Sequence, residues 1–594
     1  MGISSRPPLL SSLPDETLMM LLVFLTFAAL LGQTFSAGEF WERGSNGSGS
    51  TKLLEVFQVQ APLRKSYDDT SCRQVILQHD FTASYGSPYV GSYIPPVGCN
   101  FTTVIFNMSI TSAGINYDRL GLLFLSDVEV WRTTTGMPVR AGIFYNVLKD
   151  VTVFDALLRT KQKIIMQLDN IYNEVFTGNF NMTITALYYN DDKGFTPADS
   201  ILPISAQLSS SNKSSVISLP DGNASVPVRF PRNVERAVVS ILASGNGAEE
   251  FWFTNVPTEY EKTFNNTAIY GYSSFREVQL LIDGKLAGAI WPFPTIFTGG
   301  ISPGLWVPIV GVDAYDLPSF EIDISPFLGL LCDGNSHTFE LKVVGYDSNE
   351  ALGTVGSNWW VSGSIFIWLD SAGSQTIGSV VQSSIPAPEF DFSHVITTSS
   401  GLNTTLWVEL LAKRALSHSS TITTSSGPHS YTWSQSLDSF ENETTIANSL
   451  SYPLSFSQEY IIPVDSTVVN STLIAALDRS KVSHEIPILS YLTSPMTCGV
   501  PAHLVTRQNG SCDYFWNNTY YQFAGGIDPA DGSIGATEQW FSFLGPLTSG
   551  ENATYGRHVK AVDGYEPVLV VDDIFDQVIE VPETVYLVDK KDDL

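Results

Sequence analysis

The chain is short of positive charge, of histidine and of helical periodicity, and each shortage removes a class of protein. Its 594 residues hold 31 Lys and Arg against 60 Asp and Glu, a formal charge of -29. A surface with that balance repels phosphate backbones, which argues against nucleic acid as a partner. The same acidity serves solubility and suits work at acidic pH, where part of it is neutralised. The 8 histidines are dispersed. His484-Glu485 lacks the second His four residues on that a zinc-protease helix needs, so neither a metal nor another cofactor is expected. No Gly-x-Ser-x-Gly elbow occurs, which disfavours a serine hydrolase of that type.

Cysteine is scarce too, and the five present cannot all pair within one chain. Cys72 with Cys99 and Cys498 with Cys512 are the pairs close in sequence, and an oxidising compartment would allow both, although connectivity is open. Cys332 is then left over. It is either a nucleophilic thiol or, just before the Asp333-Gly334 turn, a buried free cysteine, and the second is the expectation.

Only one long apolar run exists. Residues 18–31, LMMLLVFLTFAALL, are 14 residues long, the length of a signal-peptide core rather than of a full membrane span. Small residues near Ser36 and Ala37 suit cleavage, whereas Asp15 and Glu16 sit where a signal peptide prefers positive charge. An uncleaved signal anchor is therefore the alternative, and the chain meets a membrane only in that case. Thirteen Asn-x-Ser/Thr sites spread from Asn46 to Asn552 agree with a chain that is translocated throughout. The protein is expected to be secreted or lumenal. The final Lys591-Asp592-Asp593-Leu594 is similar to an endoplasmic-reticulum retrieval signal with Asp in place of Glu, or is a chance acidic tail.

What the chain has in abundance is short alternating runs bounded by Gly, Pro, Asn and Ser, with 43% hydrophobic residues, so the class is mainly β and about two to four domains are expected. Residues 1–37 form the signal segment and 38–50 a Gly/Ser linker. A first β-sandwich over 51–195 has strand-like runs at Gln74–His79, Phe101–Ile110, Leu120–Trp131, Ile164–Leu168 and Phe180–Tyr188. A second over 196–370 includes Val238–Ala243 and Thr338–Val344, and the turn-rich stretch 191–225 reads as the connection between them. A C-terminal β-rich domain occupies 371–594, with runs such as Leu406–Leu411 and Val568–Val571.

Residues 271–312 stand out. Val278, Leu280 and Ile282 share one face at period 2, Asp283-Gly284 supplies a hairpin turn, and Leu286 to Ile290 run back. Then Trp291, Pro292, Phe293, Pro294, Phe297, Gly299, Gly300, Pro303, Gly304 and Trp306 make an aromatic loop that Pro and Gly hold away from helix and central strand. Its rings either cap a sandwich core or present flat faces to a sugar. The run FREVQLLIDGKLAGAIWPFPTIFTGGISPGLW, followed after Val307 by Pro308-Ile309-Val310-Gly311, resembles the plant and fungal acid peptide:N-glycanases, also called peptide-N-glycosidase A. The resemblance extends more loosely from about Leu53 to about Trp368. It implies that the first two units are paired jelly-roll-like sandwiches, as in bacterial peptide:N-glycosidase F, with the site in the groove between them.

The implied activity is an amidase that hydrolyses the β-aspartylglucosaminyl bond, releasing the N-glycan and converting Asn to Asp. Its partners would be N-glycosylated peptides or denatured glycoproteins. Such chemistry needs a base for water, an acid for the departing nitrogen, a positive or N–H group for the oxyanion, and rings for N-acetylglucosamine. Tyr117-Asp118-Arg119 resembles the aromatic-Asp-Arg motif carrying the principal acid of the bacterial enzyme, and otherwise reads as an Asp-Arg pair fixing a turn. Gly247-Ala248-Glu249-Glu250-Phe251-Trp252 sets two carboxylates beside large rings, where one pKa rises. Glu250 is preferred, because Glu249 would point to the opposite face of a strand. Asp169 is a third, weaker match in Leu168-Asp169-Asn170, where a plain Asx-turn competes. The chain departs from the family pattern at Val307, where an arginine is expected near Trp306, leaving Arg276 or Arg119 for oxyanion or glycan binding. Trp252, Trp291 and Trp306 are the candidate sugar contacts. A non-catalytic glycan-binding protein on the same fold and a glycoside hydrolase, which also uses two carboxylates, are the competing readings.

Overall fold

A computed structural model describes residues 53–60, 72–138, 142–190, 196–264, 269–300 and 306–438, together with strands at 449–451, 454–455, 470–483, 503–517, 533–546, 552–562 and 569–571. The signal segment, the linker, Cys498 and the terminal Lys591–Leu594 lie outside the described residues. The chain is mainly β, in several sheets. Among the described residues no helix is long and apolar enough to cross a membrane.

The first 190 residues contribute two sheets. One runs in the order Leu54–Glu55, Ile143–Asp150, Thr103–Ser112, Phe180–Tyr189, Cys72–Phe81, and the other Tyr89–Tyr93, Gln162–Leu168, Leu120–Leu125, Val128–Thr134. Strict alternation explains the first. Phe180, Met182, Ile184, Ala186 and Tyr188 are buried while the residues between them are not, so one face of the strand lies in the core. A disulfide joins Cys72 to Cys99.

The next two sheets run Ser200–Ile204, Trp359–Leu369, Val234–Gly245, Phe320–Asp323 and Ser225–Val228, His337–Asp347, Arg276–Ile282, Lys285–Ile290. Asp283 and Gly284 turn the hairpin at φ 48° and 76°, the doubly left-handed geometry that makes an Asp-Gly pair the favoured choice. The stretch 191–225 is more than a connection. Ile201, Ile204, Ile217 and Leu219 are buried, and the strands Ser200–Ile204 and Ile217–Leu219 both pair with Trp359–Leu369. Cys332 is buried and free at the end of the short helix Leu328–Leu331, and burial pushes its thiol up to about 11. A thiol held that high is a poor nucleophile.

One hydrophobic cluster runs through both pairs of sheets. Arg132 fastens them. Its guanidinium grips Glu129 at 2.8 Å through Nε and through Nη2, and its Nη1 donates to Ser244 Oγ at 3.0 Å and Trp360 O at 2.7 Å. The remaining chain forms a twelve-stranded sheet around the 23-residue strand Leu402–Thr424. It covers the outer face of the hairpin, which is why Arg276–Ile282 is buried on both faces where alternation predicts one.

Candidate active site

Asp118 ends a short approach to the strand Leu120–Leu125, and its backbone is clamped on either side. Arg119 N–H donates to Thr135 Oγ1 at 2.9 Å, and Thr135 N–H returns to Arg119 O at 2.8 Å. Asn116 Oδ1 accepts from Tyr117 N–H at 2.9 Å and from Arg119 Nη2 at 2.7 Å. The Asp118 carboxylate is half-buried. Burial raises its pKa, while the Gly299 N–H, the Arg119 charge, its own N–H and the Thr134 hydroxyl oppose the rise. Gly299 is required by space: a Cβ there would lie 2.1 Å from Asp118 Oδ1.

Glu250 reaches the same place from the second pair of sheets. The strand Val234–Gly245 ends in a short 3-10 turn, Gly247–Glu249, and Glu250 caps it. Its carboxyl is pushed up to about 8, first by burial and then by the charge of Asp118. Nothing opposes that rise. Two carboxyls that feel each other titrate as a pair, and the one with the donors ionises first. Behind them the buried Tyr315, stacked on Tyr145 at 4.4 Å, also senses the charge of Asp118.

Glu249 and Glu250 do separate, though by a 3-10 turn rather than by strand alternation. Glu249 is buried, and four bonds occupy it: Arg276 Nε at 2.7 Å, Arg276 Nη2 at 2.9 Å, Trp359 Nε1 at 2.6 Å and Gly356 N–H at 3.1 Å. Arg276, likewise buried, spends Nη1 on the carbonyls of Tyr272, Ser273 and Phe275 at 2.7–2.9 Å. The structure therefore withdraws Glu249 as an alternate acid and Arg276 as an oxyanion group, since both are saturated by the fold. Arg119 stays beside Asp118, half-buried, with Nε on Asn170 Oδ1 at 3.2 Å.

The three tryptophans are corrected as well. Trp252, Trp291 and Trp306 are 6%, 4% and 1% exposed, core-packed rather than presented. Trp291 Nε1 donates to Glu277 at 3.0 Å and Trp306 Nε1 to Gly300 O at 2.6 Å, while Trp252 packs on Trp359 with ring centroids 6.0 Å apart. An indole satisfied in this way costs little to bury, and Pro and Gly shape the loop around it. Two of the rings that do reach the surface lie on loops joined through Asn170 that the sequence did not flag. Tyr85 is 50% and Tyr172 46% exposed. Tyr85 N–H bonds Asn170 O at 3.2 Å, and the residue lies within electrostatic reach of Arg119.

Asp169 holds that loop pair, accepting from Gly86 N–H at 3.0 Å and Gln167 Nε2 at 2.8 Å. Its neighbour Asn170 is the organiser that sequence reading missed. It is buried, donates to Phe81 O, Thr82 O and Gly178 O, and accepts from Asn116 and Arg119. Among the described residues no cluster of three or more His, Cys, Asp or Glu is placed to hold a metal ion.

A β scaffold that couples two carboxyls, one surrounded by donors and the other by none among the described residues, has the makings of an acid–base hydrolase. The family model described as "Peptide N-acetyl-beta-D-glucosaminyl asparaginase amidase A" matches residues 60–386. The chain belongs to that family. It is 33% identical over 383 residues to the peptide-N4-(N-acetyl-beta-glucosaminyl)asparagine amidase A of Prunus dulcis, a match covering 59% of this chain and 65% of the relative, a little under two thirds of that protein. Among solved structures, PNGase F, a glycosylasparaginase from Flavobacterium meningosepticum, is 14% identical, covers 51% of this chain and 96% of its own, and gives a TM-score of 0.32. PNGF-II is 14% identical over 53% of this chain and 64% of its own, also at 0.32. At those scores neither superposition bears on the site.

Proposed function

We propose that this chain is an amidase that hydrolyses the β-aspartylglucosaminyl bond of N-glycosylated peptides or denatured glycoproteins, with Asp118 as base and Glu250 as acid. The observation that carries the assignment is the asymmetry of the pair. Burial raises both carboxyls, but at Asp118 the Gly299 N–H, the Arg119 charge and the Thr134 hydroxyl counter the rise, whereas at Glu250 the Asp118 charge adds to it and pushes the group up to about 8. Asp118 takes a proton from water as its oxygen attacks the amide carbon. Glu250 then delivers its proton to the departing nitrogen, the C–N bond breaks, and Asp and a glycosylamine result. Arg119 supplies positive charge next to the reacting carboxylate. Tyr85 and Tyr172, exposed on the loops on either side of Asn170, would supply the rings that stack on sugar. The disulfide Cys72–Cys99 and the spread of sequons support a secreted or lumenal setting.

The test is a mass spectrum of a short N-glycopeptide incubated with the full-length protein in heavy-oxygen water at mildly acidic pH. Conversion of Asn to labelled Asp supports the amidase. Intact glycopeptide retained on the protein replaces it with a binding protein, and a peptide left carrying N-acetylglucosamine on unmodified Asn replaces it with a glycoside hydrolase.

A further inference from the structure

Gly299 lies in the stretch 291–300, which leaves the second pair of sheets and meets the first, and residues 306–312 also touch the first. In the former stretch Thr298 Oγ1 donates to Thr135 O at 2.7 Å, and Gly299 N–H reaches Asp118. A loop rich in Gly and Pro holds such a point only if both legs are fixed. Part of that fixing comes from the first sheets, where Phe57 N–H bonds Pro308 O at 2.9 Å and Val310 N–H bonds Phe57 O at 3.0 Å. The rest comes from the twelve-stranded C-terminal sheet.

At the root of the first leg, in the strand Lys285–Ile290, Gln435 brackets Ala289, accepting its N–H at 3.1 Å and donating to its carbonyl at 2.8 Å. Beside it Arg414, 7% exposed, forms a buried ion pair with Glu277, which in turn accepts the Trp291 indole N–H. On the second leg, Gln539 is 0% exposed, and its Nε2 donates to Val310 O at 2.7 Å. The Gln539 Oε1 is buried with no partner among the described residues. Apolar packing of Ala289, Trp291, Phe293 and Val312 against Ala412, Leu416 and Leu437 already joins the two regions. Buried amides and an ion pair add little to adhesion after desolvation, and a half-satisfied amide costs stability. What they add is a fixed register between sheet and loop.

We infer that the C-terminal sheet is a brace for the active site, in which Gln435 and Arg414 on one leg and Gln539 on the other position the Gly299 N–H against Asp118. These are positioning residues, outside contact with the substrate. Loosening either leg draws the N–H away from the carboxylate, so Asp118 holds its proton to higher pH and the division of labour with Glu250 narrows. The catalytic consequence rests on the amidase reading above; the brace itself does not.

The experiment uses the full-length chain with Gln539→Leu, which removes the bond and the orphan oxygen together, and with Gln435→Leu on the other leg. Hydrogen exchange is followed at residues 295–300, with the strand Leu120–Leu125 as control, and glycan release is measured against pH. The brace predicts exchange at 295–300 faster by about tenfold or more with the control strand unchanged. It also predicts a rising limb displaced to higher pH, a lower kcat at an unchanged KM, and, for Gln539→Leu, a Tm within a few degrees of the native protein, because losing the orphan oxygen offsets the Val310 carbonyl left without its donor. Unchanged exchange at 295–300, or exchange accelerated equally in the control strand, overturns it. If the unsubstituted protein releases no glycan at any pH, the amidase reading fails while the exchange result still decides the brace.

Discussion

Two carboxyl groups adjacent in the chain, Glu249 and Glu250, meet opposite fates. Glu249 points into the second pair of sheets, where Arg276, Trp359 and Gly356 fill its acceptor positions and the fold uses it as a rivet. Glu250 feels the charge of Asp118, has no donor among the described residues, and is pushed up to about 8. Both are withdrawn from bulk water, Glu249 fully and Glu250 in part. What separates them is satisfaction: a buried charge with a full set of partners stabilises one conformation, whereas a buried carboxyl without them keeps a proton available for transfer.

The sharpest way to break the comparison is to neutralise each group in turn. Asp118→Asn and Glu250→Gln are each expected to lower glycan release by about 10²- to 10⁴-fold with Tm within a few degrees of the native protein. Glu249→Ala should do the reverse. It leaves Arg276 buried and unpaired and costs about 3–5 kcal/mol in denaturant unfolding, with activity per folded molecule retained. Gly299→Ala comes next. Its Cβ would have to displace the Asp118 carboxylate or the loop, so kcat/KM should fall by about 10-fold and the rising limb of the pH profile should shift.

The remaining effect is on the pH dependence of stability. A carboxyl whose pKa is raised by folding favours the folded state below its ordinary range, and that contribution is lost as pH rises through the folded value of about 8. Glu250→Gln abolishes the dependence. Its Tm, compared with the native protein, should therefore gain ground between pH ~5 and pH ~9, and parallel Tm curves would count against a raised Glu250.

Local features of this site were readable from the chain. Asp283-Gly284 announces a hairpin because few other pairs tolerate two positive φ angles, and Tyr117-Asp118-Arg119 sits at a visible strand start. Long-range facts were not. Trp252, Trp291 and Trp306 look like sugar platforms by composition, yet their indole N–H groups or faces are used by Glu277, Gly300 and Trp359, partners that no local pattern reveals. Asn170 was hidden beside Asp169, since a buried hub and a turn residue have the same letter. Arg276 was read as a binding group because its saturation by Glu249 becomes visible only when a turn and a strand from different parts of the chain meet. Gln435 and Gln539 carry no motif at all.

The most direct measurement is the pH dependence of kcat/KM for glycopeptide deglycosylation by the native protein and by Glu249→Gln and Glu250→Gln. Two unlike carboxyls predict a bell whose falling limb lies near pH ~8, lost in Glu250→Gln and kept in Glu249→Gln. A rate that stays level through that range, or a falling limb that moves with Glu249 and ignores Glu250, would contradict the assignment.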